Sequence, residues 1–179
     1  MKKIVIMIAT FLTLISCGTG RKSEDVVVEG KFTMKIPLNM GVATDLNDDA
    51  SLQYQNLFNE LYIIVIDESV SGFDSLVVDN DLEEDYGVDL EGYFNLVIDG
   101  CTMNLENPLV SDAIDINING LSSKQIGIEG EIEGIEIYYC YTVIKGKSTY
   151  YQIVTWTLLE KKARNEKLLK KIALSFKEV

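Results

Sequence analysis

The sequence predicts an α+β fold, with a mainly antiparallel sheet of about six or seven strands flanked by helices. Three observations carry this expectation. Apolar and polar residues alternate in several separate runs, the period of a half-buried strand. Two stretches, 89–101 and 160–174, instead repeat their apolar residues every three or four positions, as a helix with one buried face does. These helical stretches fall between and after groups of strands, whereas a parallel sheet needs a helix between successive strands.

The elements follow in chain order. In KFTMKIP, residues 31–37, Phe32, Met34 and Ile36 share one face of a strand that Pro37 ends. Ser51 to Asn56 alternates through Leu52 and Tyr54, and LYIIVID, residues 61–67, is a β-branched run typical of a strand covered on both faces. Residues 57–60 close a hairpin between them, or 51–58 form a short helix. Residues 69–87 read as an irregular helix and an acidic loop. Asp89 is placed to cap a helix whose stripe holds Leu90, Phe94, Val97, Ile98 and Cys101, and Pro108 lies just beyond its end.

Four strands follow. Ile114, Ile116 and Ile118 alternate with Asp115 and Asn117, and Asn119-Gly120 is a strong hairpin signal. Next come 124–129, 133–144 and 148–158, the last two joined by Lys145-Gly146-Lys147. If that loop is tight, Ile137, Tyr139, Tyr141 and Val143 share a face with Tyr150, Val154 and Trp156. Residues 160–174 form an amphipathic helix presenting Ala163, Leu168, Leu169 and Ile172 inward and lysines outward.

Composition excludes several function classes. With 28 acidic and 16 basic residues the net charge is −12, and 36–123 contains no Lys or Arg. Nucleic acid is therefore not an expected partner, because binding it rests on cations that neutralise phosphate. No histidine is present. Neither a Ser-His-Asp nor a Cys-His centre can be built, and zinc would need more cysteines than the chain has. No cofactor is expected. Paired carboxylates can still hydrolyse glycosides, but no acid pair is singled out.

Calcium, which takes oxygen ligands, suits the composition better. Asp115, Asn117, Asn119 and Gly120 match the opening of an EF-hand loop, yet its twelfth position is Ile126, and the alternating isoleucines demand a strand. Asp45, Asn47, Asp48 and Asp49 begin well and fail at Ala50 and Asn56. The remaining metal candidate is the cluster Asp79, Asp81, Glu83, Glu84 and Asp85, with a solvated loop as the plainer reading. Tyr139, Tyr141, Tyr150 and Trp156 form a strand-spaced stripe, expected as core and alternatively as the wall of a groove for sugar or peptide. Cys101 and Cys140 are either a disulfide or two buried thiols.

The N-terminus gives location. Lys2 and Lys3 precede an apolar run over 4–15, too short to span a bilayer, which needs about 20 residues, and suited to a secretory signal. Leu14-Ile15-Ser16-Cys17-Gly18 resembles a bacterial lipobox. The resemblance implies cleavage between Ser16 and Cys17 and lipid on the Cys17 sulfur, so that the membrane is a partner through two or three acyl chains. Gly18 implies the outer membrane rather than the inner, with the periplasmic or surface face left open. The expected organisation is a signal over 1–16, a lipidated flexible tether over 17–30 and one domain over 31–179.

From Lys31 onward the order of elements, with FTMKIP, LYIIVID, YYQIVTW and a closing helix ending in Ser175-Phe176, resembles the PsbP-like αβα sandwich of the extrinsic photosystem II subunit. DLNDDASLQYQN followed by LYIIVIDE is similar to uncharacterised lipoproteins of Bacteroidetes. The resemblance implies a non-catalytic binding or accessory role beside an envelope protein partner. The alternatives are a small-molecule or calcium-dependent binding module and a carboxylate-based hydrolase.

Overall fold

The computed structural model describes residues 22–179. The expected signal, with Ser16 and Cys17, lies outside the described residues. The chain forms β1 (Ser23–Val28), β2 (Phe32–Pro37), β3 (Gly41–Val42), β4 (Ala50–Asn56), β5 (Leu61–Ser69), α1 (Val70–Asp79) and α2 (Leu90–Thr102). Then follow β6 (Glu106–Val110), β7 (Ile114–Ile118), β8 (Leu121–Ile132), β9 (Ile135–Lys145), β10 (Thr149–Leu158), α3 (Lys162–Ala173) and β11 (Lys177–Glu178).

One sheet has the order β3-β4-β5-β10-β9-β8-β6, with β7 continuing the β6 edge of β8, and a small sheet has the order β1-β2-β11. Every strand pairing among the described residues is antiparallel. The fold is thus the expected α+β arrangement, with more strands than the sequence predicts.

Side-chain alternation divides the core. Leu61, Ile63, Val65, Tyr138, Cys140, Ile144, Tyr151 and Ile153 meet Leu169, Ile172 and Ala173 of α3 and Phe32, Met34 and Ile36 of β2. Ile64, Ile126, Ile128, Tyr141, Val143, Tyr150 and Val154 point the other way, against Phe73 and Val77 of α1 and Tyr93, Phe94 and Ile98 of α2. The large sheet therefore lies between α3 with the small sheet and α1 with α2.

Local chemistry sets the element ends. Ser69 caps α1 and Asp89 caps α2, their side-chain oxygens each accepting a backbone N–H three residues on, from Gly72 and Gly92 at 2.9 Å. Asn119 (φ 51°) and Gly120 (φ 93°) make the expected β7–β8 turn, and Glu133 (φ 52°) with Gly134 (φ 82°) makes an equivalent β8–β9 turn.

Two expectations are corrected, and one open alternative, the disulfide, is ruled out. The tether expected over 17–30 is in part a strand: Ser23–Val28 pairs in register with β2 because Val26 and Val28 pack against the core. In α3, Ala163 is exposed, and Asn165 and Ala173 take the inward positions with Leu169 and Ile172. The disulfide is not formed. Cys140 lies in the core under α3 while Cys101 packs with the α2 layer, so the sheet separates two free thiols.

Candidate functional site

One concavity lies where α2 meets the large sheet. β9 pairs with β10 so that Tyr141 faces Val154 and Tyr139 faces Trp156, as the tight-loop expectation requires. α2 covers one end of this aromatic stripe and leaves the other open. The stripe thereby divides into core and wall.

In the covered part, Tyr150 and Tyr93 are fully buried and stack with ring centroids 4.1 Å apart, and Phe73 meets both edge-on at 5.8 and 5.0 Å. A polar chain crosses this core. Tyr141 donates from its hydroxyl to Gln152 Oε1 at 2.8 Å, Gln152 Nε2 donates to the Tyr93 hydroxyl at 2.8 Å, and Tyr93 donates to Glu68 at 3.0 Å. Burial pushes the Tyr93 and Tyr141 phenols well above their ordinary range and Tyr150 up to about 12.

Beyond Gln152 a cleft of about 370 Å³ opens, walled by Ile64, Val97, Cys101, Tyr139, Tyr141 and Gln152. Next to the lining Tyr139, whose ring leans on it at 6.0 Å, Trp156 is half-buried and stacks on Tyr62 at 5.1 Å with an interplanar angle of 11°. Burial raises the Tyr139 phenol to about 12 and the Cys101 thiol to about 11. Cys101 is therefore a neutral thiol near pH 7 and not an activated nucleophile. Aromatic walls, an apolar floor and a few polar groups suit a sugar ring or an apolar peptide side chain. The sequence placed the stripe but missed Tyr93 and Gln152. Tyr93 lies three residues after Leu90 and four before Val97, so the stripe's own spacing could have found it, whereas a glutamine within an apolar strand gives no such signal.

A second cleft, of about 310 Å³, lies on the other side of the sheet between α3 and β6, β8 and β9. Its charges neutralise one another: Lys162 binds Glu129 at 2.6 Å and sits 4.6 Å over the Tyr138 ring, while Lys170 binds Glu166 at 2.6 Å. The hydrogen bond from Lys170 holds the Glu166 carboxyl below its ordinary range. A glycosidase acid needs the opposite shift, so this pair does not supply the hydrolase alternative.

The metal candidates do not converge. Asp79, Asp81, Glu83, Glu84 and Asp85 are all exposed around the turn after α1, and among the described residues no group of three or more acidic or cysteine side chains is placed to hold an ion. Asp115 instead binds Lys124 at 2.8 Å, Asn117 accepts the Gly120 N–H, and Asn119 donates to the Phe176 carbonyl. In the 45–49 loop, Gln53 accepts the Leu46 and Asn47 N–H groups, and Asn47 accepts that of Asp49.

No family model and no curated protein sequence matches this chain. Among solved structures it is similar to cyanobacterial PsbP (CyanoP) from Synechocystis sp. PCC 6803, with a TM-score of 0.62, 12% identity, and coverage of 93% of this chain and 99% of that one. It is also similar to the Ran-binding protein Mog1p of Saccharomyces cerevisiae, with a TM-score of 0.56, 13% identity and coverage of 88% and 96%. LpqN of Mycobacterium tuberculosis, described as involved in cell envelope biogenesis, gives a TM-score of 0.54 at 11% identity over 88% and 91%. At these identities the likeness concerns the backbone, and what the chain shares with all three is the PsbP-like fold.

Proposed function

We propose that this protein is a lipid-anchored accessory of the bacterial cell envelope that binds a partner or ligand without transforming it. Cys17 is the anchor, Ser16–Cys17 the cleavage point, and the outer membrane the address. The narrower kinship is with the lipoproteins of Bacteroidetes. Among the described residues no helix is long and apolar enough to cross a membrane, and two or three acyl chains suffice for durable anchoring. LpqN, of the same fold, is tied by its description to the envelope, and Mog1p by its name to a protein partner.

The observation that carries the reading is the cleft beside Trp156. Tyr141 and Gln152 in its wall are hydrogen-bonded to one another and its thiol is neutral, so the wall offers contact area and no activated nucleophile. Trp156 is the sole tryptophan of the chain. Its fluorescence therefore reports on the cleft through Tyr139, which lines the cleft and lies 6.0 Å away. Titration with oligosaccharides and apolar peptides is expected to shift its emission saturably for one class, with a parallel rise in melting temperature. Saturable binding that leaves Trp156 emission unchanged would move the site elsewhere, and chemical turnover of the bound compound would contradict the non-catalytic role.

A further inference from the structure

Charge is divided between the layers that flank the sheet. The stretch without Lys or Arg, 36–123, supplies α1 and α2. On the other side, Arg164, Lys167 and Lys171 of α3 are exposed, with Lys170 half-buried among them. Lys170 is paired with Glu166, whereas Arg164, Lys167 and Lys171 have no carboxylate partner among the described residues. Leu174 lies half exposed in the same depression as Lys167, Lys170 and Lys171. Aliphatic stems around an apolar side chain with ammonium groups at the rim suit the boundary between headgroups and water.

The chain enters the domain beside this face. Ser23, the first residue of β1, lines one cleft with Lys35, Leu168 and Lys171. Lys22 is exposed next to it, and the nearby acids are Glu24 and Asp25, the latter 3.8 Å from Lys35. Cys17 precedes Ser23 by six residues, so even a fully extended chain puts its sulfur no farther than about 20 Å from that end of the domain. An anchor so close leaves the domain few ways to face a bilayer, and charge selects among them. The acidic α1–α2 side is repelled by an anionic surface within about a Debye length of 10 Å, and the α3 side is attracted.

We infer that the outer face of α3, with Lys22 and Lys35 beside β1, lies on anionic phospholipid headgroups and turns the aromatic cleft away from the bilayer. The inference rests on the anchor at Cys17 proposed above. It follows that the opposite side of the sheet, with Trp156 and Tyr139, is the side presented to a ligand or partner.

Lysine acylation read by mass spectrometry tests this on the full lipid-bearing protein. The protein is mixed with vesicles of phosphatidylcholine alone, or with about one third phosphatidylglycerol as the anionic surface, and recovered by flotation. In anionic vesicles at low salt, Lys167 and Lys171 are expected to react several-fold more slowly than in neutral ones. Lys124, on the α2 side, is expected to react equally in both, and about 0.5 M salt is expected to erase the difference. Equal rates at Lys167 and Lys171 in floated protein overturn the orientation while leaving the anchor standing, and free this face for an acidic protein. Flotation with anionic vesicles alone, with Lys167 and Lys171 protected, supports the α3 face and contradicts the anchor. Flotation with neither overturns both.

Discussion

Cys101 and Cys140 stand on opposite faces of one β-sheet. Tyr139 and Tyr141 flank Cys140 in β9 and point toward α2, where Cys101 lies, while Cys140 itself points under α3. Non-reducing denaturation followed by alkylation is expected to find both thiols free. In the native protein Cys101 is expected to alkylate slowly, because burial lifts its thiol to about 11, and the fully buried Cys140 only on unfolding. Mass spectrometry of the alkylated peptides checks both.

Gln152 is the junction of the buried polar chain. Gln152→Ala strands the Tyr141 hydroxyl, removes the bond that the Tyr93 hydroxyl accepts while leaving the one it donates to Glu68, and opens a void between the two rings, and is expected to cost about 2–4 kcal/mol. Tyr93→Phe removes one hydroxyl but keeps the stacked ring, and is expected to cost about 1–2 kcal/mol. Urea denaturation of both variants measures the difference.

The start of α2 separates a small effect from a large one. Asp89→Ala loses one cap bond and is expected to cost about 1 kcal/mol. Gly92→Ala places a Cβ 1.8 Å from the Gly87 carbonyl oxygen, which cannot be relieved without moving backbone. It is expected to destabilise more than Asp89→Ala in thermal melts and to loosen α2 over the cleft.

Alkaline pH is expected to unfold the protein through its tyrosines. Burial raises the Tyr62, Tyr139 and Tyr150 phenols to about 12 in the folded state, against about 10 in an unfolded chain. Above pH 10 the unfolded chain has lost protons that the native state keeps, so stability that is full below about 10 is lost as pH rises toward 12. Tyrosinate absorbance is expected to rise for these residues together with loss of secondary structure, rather than before it.

β1 belongs to the folded domain. A chain beginning at Lys31 lacks the β1–β2 ladder and the contacts of Val26 and Val28, and is expected to be less stable than residues 22–179 by about 2–4 kcal/mol. Comparison of denaturant midpoints tests it.

Much of this fold was legible where apolar period and burial agree. β2, β5, β9 and β10 alternate or run continuously apolar because a helix or a second strand layer covers them, and β7 alternates although only Ile116 and Ile118 reach the core. β1 escaped because SEDVVV is mostly exposed and its pairing with β2 supplies what its pattern does not. β6, ENPLV, is an exposed edge strand that tolerates Pro108, and neither proline nor full exposure signals a strand. β3 and β11 are two residues each and exist only through their neighbours. For the site, alternation located Tyr139, Tyr141, Tyr150 and Trp156, but where α2 stops covering them depends on Tyr93, Leu105 and Cys101 reaching the sheet. That is a tertiary relation that no local period encodes.

The intact mass of the mature protein, extracted from envelopes, tests the account most directly. A chain beginning at Cys17 and heavier than its polypeptide by a diacylglyceryl group is the predicted result, with Cys17→Ser releasing the protein from the membrane fraction. A mature chain with an unmodified Cys17 sulfur, or a Cys17→Ser protein that stays in that fraction, would contradict it.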